Sequence, residues 1–406
     1  MSAASQRLDG RFTLIIPTYN RPADLARLLS YIERHRLDCH VLVADSSEPA
    51  IAEANAAAVA KAPIDVSLRR FDSTVSPWEK FWRASELVQT PYCSLCADDD
   101  LLVPGSLAPL VQYLDDHRDY SAAHGWYFTF YDNGHIGITS SVYRGASIDV
   151  DDPIGRLHTL FRQYEAVTYA VYRTDVARRV LRDVQPLQSM LARELLGGAL
   201  TVAAGKTARL PIFYYGRSLA PSQPYSHWHP LDFVVSSPDG MWRDYATYRA
   251  TLLAALEPIA ANRYTREDLT VLIDLIHLRY LADYVKPPVM DYLVEQKMAS
   301  RSKPDIMQGM WAVLAGATDA GVARALTGSP LIRRLRDRFF PTIRSHHLKR
   351  LMAPTAQRTV RTRTAGGKPR EYLLYAEFLS SVKGQPVERD IDSIIAAVDK
   401  YEQPGP

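Results

Sequence analysis

Cysteine is scarce in this sequence, with three residues among 406. So few cysteines exclude the small domains that depend on several disulfides, and they are typical of a reducing compartment. Two of them, Cys93 and Cys96, form a lone C-x-x-C. A zinc site would need further ligands, and residues three apart on a strand point to opposite faces. We therefore expect both thiols to be packed in the core.

Long apolar runs are also missing. Charged residues interrupt the apolar stretches well before the ~20 residues that a membrane-spanning helix needs. The opening stretch MSAASQRLDGRF lacks the apolar segment of a signal peptide. We therefore expect a cytoplasmic protein without a spanning helix.

The chain carries little net charge, +3 from 48 basic and 45 acidic residues. The charge is unevenly distributed, because residues 331–370, the basic tract, contain twelve Lys or Arg and one acidic residue. Such a tract attracts phosphate groups, whether in nucleic acid, anionic lipid or a polyanionic acceptor. It lacks the interleaved aromatic residues of a base-stacking surface, so no nucleic-acid partner is expected. Phe339 and Phe340 favour a helix lying on a membrane surface, and a plain solvated helix pair is the alternative.

Strand and helix patterns alternate over the first 115 residues. Residues 12–17, FTLIIP, are a continuous apolar run typical of a parallel strand buried on both faces. Pro22 then begins a helix whose apolar residues recur at i, i+3, i+4 and i+7. Further strands are predicted at 39–44, 65–71 and 92–96, and further helices at 49–61, 78–88 and 104–114. Repeated βαβ units build a doubly wound parallel sheet, in which ligands bind beyond the carboxyl ends of the strands.

The pattern changes after residue 115. Residues 122–131 and 136–143 predict a hairpin, and residues 166–172 and 207–215 predict two more strands. A helix over 187–204 is expected to end with Gly205 at the C′ position. Residues 219–239 predict a loop, and only helical patterns follow. We therefore predict an α/β domain over residues 1–240 and a mainly helical extension over residues 241–406.

Three consecutive aspartates, Asp98, Asp99 and Asp100, follow the fourth predicted strand. Carboxylates this close repel each other and favour protonation unless a cation compensates them. Mg²⁺ or Mn²⁺, held by one or two carboxylates and by substrate phosphates, would supply that charge. A solvated acidic turn that caps the next helix is the alternative. The position at the carboxyl end of a strand favours the metal site.

Four stretches resemble the family-2 glycosyltransferases of the GT-A fold. They are LIIPTYNRP, VLVADSS, CADDDLLVPGSL and RELLGGALTVAAGKTARLPIFYYGR. The resemblance covers about residues 10–220, and no known motif follows Met241. It implies a Rossmann-like, mostly parallel sheet flanked by helices, a nucleotide-sugar donor, a divalent cation, and inversion at the anomeric carbon.

The resemblance also assigns residues to the donor. Those that would form the nucleotide pocket are Pro17, Thr18, Tyr19 and Asn20, with Tyr19 near the base. Asp45 would hydrogen-bond the base, and an Asx-type turn is its competing role. Lys80 would lie near the donor phosphates, with a solvated surface position as the alternative. Arg217 would meet the diphosphate or the metal, and a role for His227 and His229 in the same loop stays open beside plain surface histidines.

The acidic stretch departs from the family at one position, since many relatives have an aspartate where this chain has Ala97. The metal could therefore be bound by Asp98 and Asp100 or by Asp99 and Asp100. We favour Asp98 and Asp100, because residues i and i+2 of an extended segment point to the same side. In that register Asp100 is the direct metal ligand, Asp98 contacts the ribose or the metal, and Asp99 contacts the donor.

The resemblance implies one general base, on a helix that precedes the final strand. Glu194 is the only acidic residue between Gln185 and Pro211, and it is expected to take the proton of the acceptor hydroxyl. A surface glutamate paired with Arg193 or Lys206 is the alternative.

These expectations together describe a metal-dependent inverting glycosyltransferase of surface polysaccharide synthesis. A UDP-sugar is the expected donor, and a glycan, lipid-linked or polyanionic molecule the expected acceptor. The basic tract would give peripheral contact with the inner face of the membrane. The oligomeric state stays open, with a homo-oligomer as one alternative. The alternatives are a sugar nucleotidyltransferase, which would need a glycine-rich loop after the first strand, and a non-catalytic sugar-nucleotide-binding or scaffold subunit of a glycan assembly complex.

Overall fold

The computed structural model describes residues 8, 10–131, 137–143, 145–218, 238–282 and 298. The basic tract and the pair His227 and His229 lie outside these residues, so the expectations about them stay predictions. The chain divides into two compact units, one of residues 1–220, 244–276 and 374–406 and one of residues 221–243 and 277–373. The sheet and the candidate site lie in the first unit. The predicted domain boundary after residue 240 stays a prediction.

The described strands form one sheet. They are β1 (Phe12–Thr18), β2 (His40–Asp45), β3 (Val66–Arg70), β4 (Tyr92–Leu95), β5 (Leu101–Leu102), β6 (Tyr120–Tyr131), β7 (Gly137–Val142), β8 (Val171–Arg173) and β9 (Lys206–Ser218). Their order is β3-β2-β1-β4-β8-β6-β9-β5, with β7 paired to β6. The pairs β1–β2, β1–β4, β2–β3 and β6–β9 are parallel, and β8, β5 and β7 pair antiparallel with their neighbours. The predicted α/β class is confirmed, and the sheet is mixed.

Helices flank this sheet. They are α1 (Pro22–Arg34), α2 (Pro49–Lys61), α3 (Pro77–Ser85), α4 (Leu107–Asp116), α5 (Pro153–Arg162), α6 (Thr174–Asp183), α7 (Met190–Ala204), α8 (Pro238–Ala260) and α9 (Arg266–Ala282). Proline occupies the first turn of α1, α2, α3 and α5, where its missing N–H costs no hydrogen bond. Side chains cap four of these helices: Ser76 accepts from Glu79 N, Asp152 from Gly155 N, Ser189 from Ala192 N and Thr265 from Asp268 N.

The structure differs from the sequence-based prediction in three elements. The strand predicted over 166–172 is reduced to β8, and the two-residue strand β5 was not predicted. Helix α7 ends before Gly205 as expected, but Gly205 has extended backbone, with a φ of 178°, instead of the left-handed conformation common at C′. Glycine is needed there for space, since an added Cβ would lie 2.9 Å from the Asp119 carbonyl oxygen.

The apolar runs of the sequence form the core. Strand β1 is buried on both faces, as its unbroken apolar pattern predicted. Cys93 and Cys96 are buried free thiols, which confirms the packing interpretation of the C-x-x-C. Within the described ranges, every helix is either too short or too polar to cross a bilayer.

Candidate active site

The carboxyl ends of β1 and β2 are tied together by Asn20. This residue has a φ of 57°, in the left-handed region that Asn tolerates better than most side chains. Its backbone N–H donates to Ser47 Oγ over 2.8 Å, and its Oδ1 accepts from Glu48 N over 3.0 Å. Tyr19, its neighbour, is 43% exposed at the end of β1. The two loops therefore form one supported rim that presents Tyr19 to solvent.

Asp45 is a buried part of the same rim. Its Oδ1 accepts from Ser47 N over 2.8 Å, and its Oδ2 accepts from the Asn55 side-chain amide over 3.1 Å. The first of these bonds is the Asx-type turn that competed with base binding. The predicted contact of Asp45 with a nucleobase stays a prediction.

Lys80 lies beneath this rim, on α3. The alternative of a solvated side chain is wrong, because the residue is 3% exposed. Its Nζ donates to the Thr18 carbonyl oxygen over 2.6 Å and to Ser46 Oγ over 2.8 Å. Burial lowers the pKa of Lys80 to about 8, although Asp98 and Asp45 oppose that shift. Lys80 thus holds the ends of β1 and β2 at a fixed separation and adds positive potential next to Asp98.

The acidic residues after β4 form a turn. The Asp100 N–H donates to the Ala97 carbonyl oxygen over 3.1 Å, so the assumption of an extended segment is wrong. Nη1 of Arg21 lies 3.2 Å from Asp98 Oδ1 and 2.9 Å from Asp99 Oδ2. The turn therefore directs Asp98 and Asp99 toward one cation, at the start of α1.

Asp100 points instead to the end of β9. Its Oδ2 accepts from the Tyr215 hydroxyl over 2.8 Å, and its Oδ1 accepts from Ser218 N over 2.7 Å. Burial raises the pKa of Asp100 to about 8 and that of Asp98 to about 7, and the charge of Asp99 adds to both shifts. Both shifts come mainly from burial, and the neighbouring charge of Asp99 adds to them because like charges this close favour protonation.

Asp100 and Glu194 both act electrostatically on Arg217. Burial lowers the pKa of Arg217. The neighbouring groups together raise this pKa by more than burial lowers it, so the net shift is upward; they are Tyr143, Tyr169, Asp100 and Glu194. Its Nη1 donates to the Tyr143 hydroxyl over 3.5 Å. Arg217 is therefore a guanidinium at the end of β9 that interacts with an acidic residue on each of two other elements.

Glu194 lies on the second turn of α7. Its Oε1 accepts from the Tyr164 hydroxyl over 3.2 Å. The two cations proposed as its surface partners are engaged elsewhere. Arg193 donates to Leu187 O, Gln185 O and Ser76 Oγ, and Lys206 pairs with Asp119 and Asp151.

A residue of α8, Asp244, holds the start of α7 in place. Asp244 is 5% exposed, and its carboxylate accepts from Gln188 N over 3.0 Å and from Ser189 N over 2.7 Å. Two hydrogen bonds from consecutive backbone amides hold the turn that precedes α7. A residue of the predicted helical extension therefore helps to position the helix that carries Glu194.

The predicted metal ligands, Asp98 and Asp100, have suitable oxygen donors for a divalent cation, but their carboxylates point to different partners. Among the described residues, no group of three or more His, Cys, Asp or Glu side chains converges on one point. Asp98 and Asp100 nevertheless offer hard oxygen atoms, and Mg²⁺ is commonly held by one or two carboxylates with substrate phosphates completing the shell.

Sequence reasoning missed three residues of the site: Arg21, Tyr215 and Ser218. Arg21 is the arginine of TYNRP, and its charge was the available signal. Tyr215 lies within the last of the four motif stretches, and Ser218 follows it directly. Their importance depends on the antiparallel pairing of β5 with β9, which aligns Leu101 with Gly216.

A family match covers the N-terminal part of the chain. Residues 13–181, which contain the rim, Lys80 and the acidic turn, match the family described as Glycosyl transferase family 2. These residues belong to glycosyl transferase family 2. Glu194 and Arg217 lie beyond the matched residues. The match confirms the family resemblance that the motifs predicted.

Solved structures of glycosyltransferases are similar to this chain. TarS of S. aureus is 15% identical with a TM-score of 0.46, over 81% of this chain and 53% of TarS, so the chain spans about half of that protein. TarS 1–349 in complex with UDP-GlcNAc is 15% identical with a TM-score of 0.49, over 78% of this chain and 88% of the other. The mannosyltransferase PcManGT from Pyrobaculum calidifontis, in complex with GDP-Man and Mn²⁺, is 16% identical with a TM-score of 0.36, over 66% and 80%. No curated protein matches the sequence.

Proposed function

We propose that this glycosyltransferase is metal-dependent and inverting, and that it uses a nucleotide-sugar donor. The observation that carries the proposal is that the Asp100 carboxylate is bound to Tyr215 and Ser218 of β9, the strand that also carries Arg217, while Glu194 lies on α7. These residues come from the turn after β4, from β9 and from α7. An acidic group for a cation, a fixed guanidinium and a separate candidate base are the parts that sugar transfer from a diphosphate requires.

In this mechanism Glu194 is the general base. The acceptor hydroxyl oxygen attacks the anomeric carbon of the donor, and its proton passes to the Glu194 carboxylate. The bond from that carbon to the diphosphate oxygen breaks on the opposite face, so the configuration inverts and the nucleoside diphosphate leaves with the electron pair. The Tyr164 hydroxyl, 3.2 Å from Oε1, orients the carboxylate.

Asp100, with Asp98 assisting, would hold the divalent cation, Mn²⁺ or Mg²⁺. When bound, the ion would neutralise negative charge that develops on the leaving diphosphate. Tyr215 and Ser218 fix the direction of the Asp100 carboxylate through two hydrogen bonds. Arg217 adds a cation to the same edge of the sheet, in accord with its predicted contact with the donor diphosphate.

The nucleoside would lie along the rim formed by the ends of β1 and β2. Tyr19 offers an exposed ring there, and Asn20 holds the rim in place. A UDP-sugar is the donor we propose. The acceptor we propose is a glycan, lipid-linked or polyanionic molecule of surface polysaccharide synthesis. The basic tract would bring the enzyme to the inner membrane face, where it would act as a cytoplasmic peripheral protein.

A thermal-shift screen of UDP-, GDP-, CMP- and dTDP-sugars, each with and without Mn²⁺, tests the donor class. A ligand at 100 times its Kd adds ~2.7 kcal/mol to the free energy of unfolding. We expect one nucleotide to raise the melting temperature, and to do so more strongly with Mn²⁺. Slow donor hydrolysis, followed by release of the nucleoside diphosphate, then tests catalysis. An absence of both effects for all donors would contradict the proposal.

A further inference from the structure

The Asp98 and Asp99 carboxylates already share a cation that belongs to the protein. Nη1 of Arg21 lies 3.2 Å from Asp98 Oδ1 and 2.9 Å from Asp99 Oδ2. One nitrogen atom thus bridges two neighbouring carboxylates. Asp98, one of the two proposed metal ligands, is therefore already paired with a cation of the protein.

The exposed fractions of the three side chains indicate which of them can move away from this ion pair. The Arg21 side chain is 28% exposed, and those of Asp98 and Asp99 are 5% and 17% exposed. Arg21 stands at the N-cap position of α1 and makes no side-chain capping bond to that helix. A long, partly exposed arginine at a helix start can move into solvent without disturbing the core.

The turn itself is held by other contacts. Arg27 Nη2 donates to the Asp99 carbonyl oxygen over 3.3 Å, so a second arginine of α1 contacts the backbone of the turn. Asp100 is bound to Tyr215 and Ser218 on β9. The backbone of the turn therefore has anchors on both sides that do not depend on Arg21.

We propose that Arg21 is a displaceable internal cation that pairs with Asp98 and Asp99 until a divalent ion binds at Asp100 and takes over Asp98. The inference rests on the proposed function, since it concerns the cation of that site. Arg21 satisfies the paired carboxylates in the metal-free protein and repels a divalent ion from them. Metal binding therefore competes with an ion pair inside the protein, and the metal affinity of the protein without donor is reduced.

Titration of the purified full chain with Mn²⁺ in the absence of donor, with free Mn²⁺ followed by electron paramagnetic resonance, tests the proposal. Arg21→Gln removes the competing charge, and we expect the Kd for Mn²⁺ to fall at least tenfold. Arg21→Lys keeps the charge and should remain within about threefold of the wild type. Arg27→Gln is the matched control, because Arg27 contacts the same turn through a backbone carbonyl and should leave the Kd within twofold.

Melting temperatures of all variants are measured first, and Arg21→Met, which keeps the aliphatic stem, replaces Gln if that variant does not fold. An unchanged or larger Kd in the neutral variant overturns the proposal. An equal decrease in Arg27→Gln, or a lack of saturable Mn²⁺ binding in every variant, overturns it as well. Sugar transfer by the wild type is assayed in parallel. If the wild type transfers sugar but the Kd of the neutral variant is unchanged, only the role of Arg21 is rejected. If no donor gives transfer, the proposed function is rejected.

Discussion

Ser218 and Asp100 are joined by a hydrogen bond of 2.7 Å from the backbone N–H to Oδ1, across 118 residues of sequence. It connects the acidic turn after β4 to the last residue of β9. The strand pair β5–β9 makes the contact possible, because it aligns Leu101 with Gly216 and Leu102 with Tyr215. The direction of the Asp100 carboxylate is therefore set by the distant strand that also carries Arg217.

Glu194→Gln tests the assignment of the base. Glutamine keeps the size of the side chain and can still accept from Tyr164, but it cannot take a proton. We expect kcat to fall by ~10²–10⁴ while the donor Kd stays unchanged. Asp183→Asn is the control, since Asp183 on α6 pairs with Arg182 at the surface. A kcat that survives in Glu194→Gln would remove this residue from the mechanism.

Lys80→Met tests the support of the nucleotide rim. Methionine fills similar space but leaves the Thr18 carbonyl oxygen and Ser46 Oγ without the donors they have now. Loss of a buried partner costs ~1–3 kcal/mol, partly offset here because the buried ammonium is itself penalised. We expect the donor Kd, measured by calorimetry, to rise about tenfold or more. Lys61→Met, at the exposed end of α2, should leave it unchanged, and equal donor affinity in both variants would limit Lys80 to a structural role.

The first four strands and their helices could be predicted from sequence because local patterns determine them. The apolar run of β1 and the helical spacing after Pro22 describe parts of the chain that are close in sequence. Strands β6, β7 and β9 were also predicted from local patterns, whereas β5 and the bounds of β8 were not. Strand β5 has two residues, too few for a periodic signal, and it exists because β9 pairs with it.

The candidate site was predicted unevenly for the same reason. Lys80 and Glu194 were found from motif positions, but the burial of Lys80 depends on how α3 packs under β1 and β2. The Arg21 contact joins residues 77 and 78 positions apart and has no local signature. A tertiary contact of this kind becomes visible only when the folded chain brings α1 to the acidic turn.

His124 predicts an acid-dependent loss of stability. The residue is fully buried on β6, its Nδ1 lies 2.9 Å from the Gly125 carbonyl oxygen, and burial lowers its pKa to about 3, with Arg209 adding to the shift. The unfolded chain takes up a proton near pH 6.5, and the folded chain does so only near 3. Folding stability should therefore decrease as pH falls from 6.5 toward 3, by up to ~1.4 kcal/mol per pH unit.

Urea titrations at several pH values measure that slope. His124→Asn should reduce the slope over this range, whatever its effect at neutral pH. His158→Gln, an exposed position on α5, should keep the wild-type slope. Equal slopes in all three proteins would show that His124 does not cause the acid sensitivity.

Gly197 in α7 offers a stabilising substitution. An added Cβ would have ordinary contacts, 3.6 Å from Val180 Cγ1 and 3.9 Å from a Trp78 ring carbon. It would also face an apolar cavity of about 20 Å³. Alanine is favoured over glycine inside a helix, so Gly197→Ala should raise the free energy of unfolding by ~0.5–1 kcal/mol. Gly125→Ala is the contrast, because its Cβ would lie 2.2 Å from the Ile212 carbonyl oxygen and should destabilise the protein. Urea denaturation of both variants gives the comparison.

Asp100→Asn is the substitution for the central claim, that transfer depends on a divalent cation at the acidic turn. Asp100 is 4% exposed rather than open to solvent, so alanine would leave Ser218 N and the Tyr215 hydroxyl unpaired. Asparagine keeps an oxygen for Ser218, and the fold should survive with a similar melting temperature.

The decisive measurement is the rate of nucleoside diphosphate release from the donor identified by the thermal-shift screen. It is taken for the wild type in Mn²⁺, for the wild type in excess EDTA with Mn²⁺ later restored, and for Asp100→Asn in Mn²⁺. The account predicts turnover in the first case, loss and recovery in the second, and a decrease of at least a hundredfold in the third. Full turnover in EDTA, or a folded Asp100→Asn variant with the wild-type rate, would contradict it.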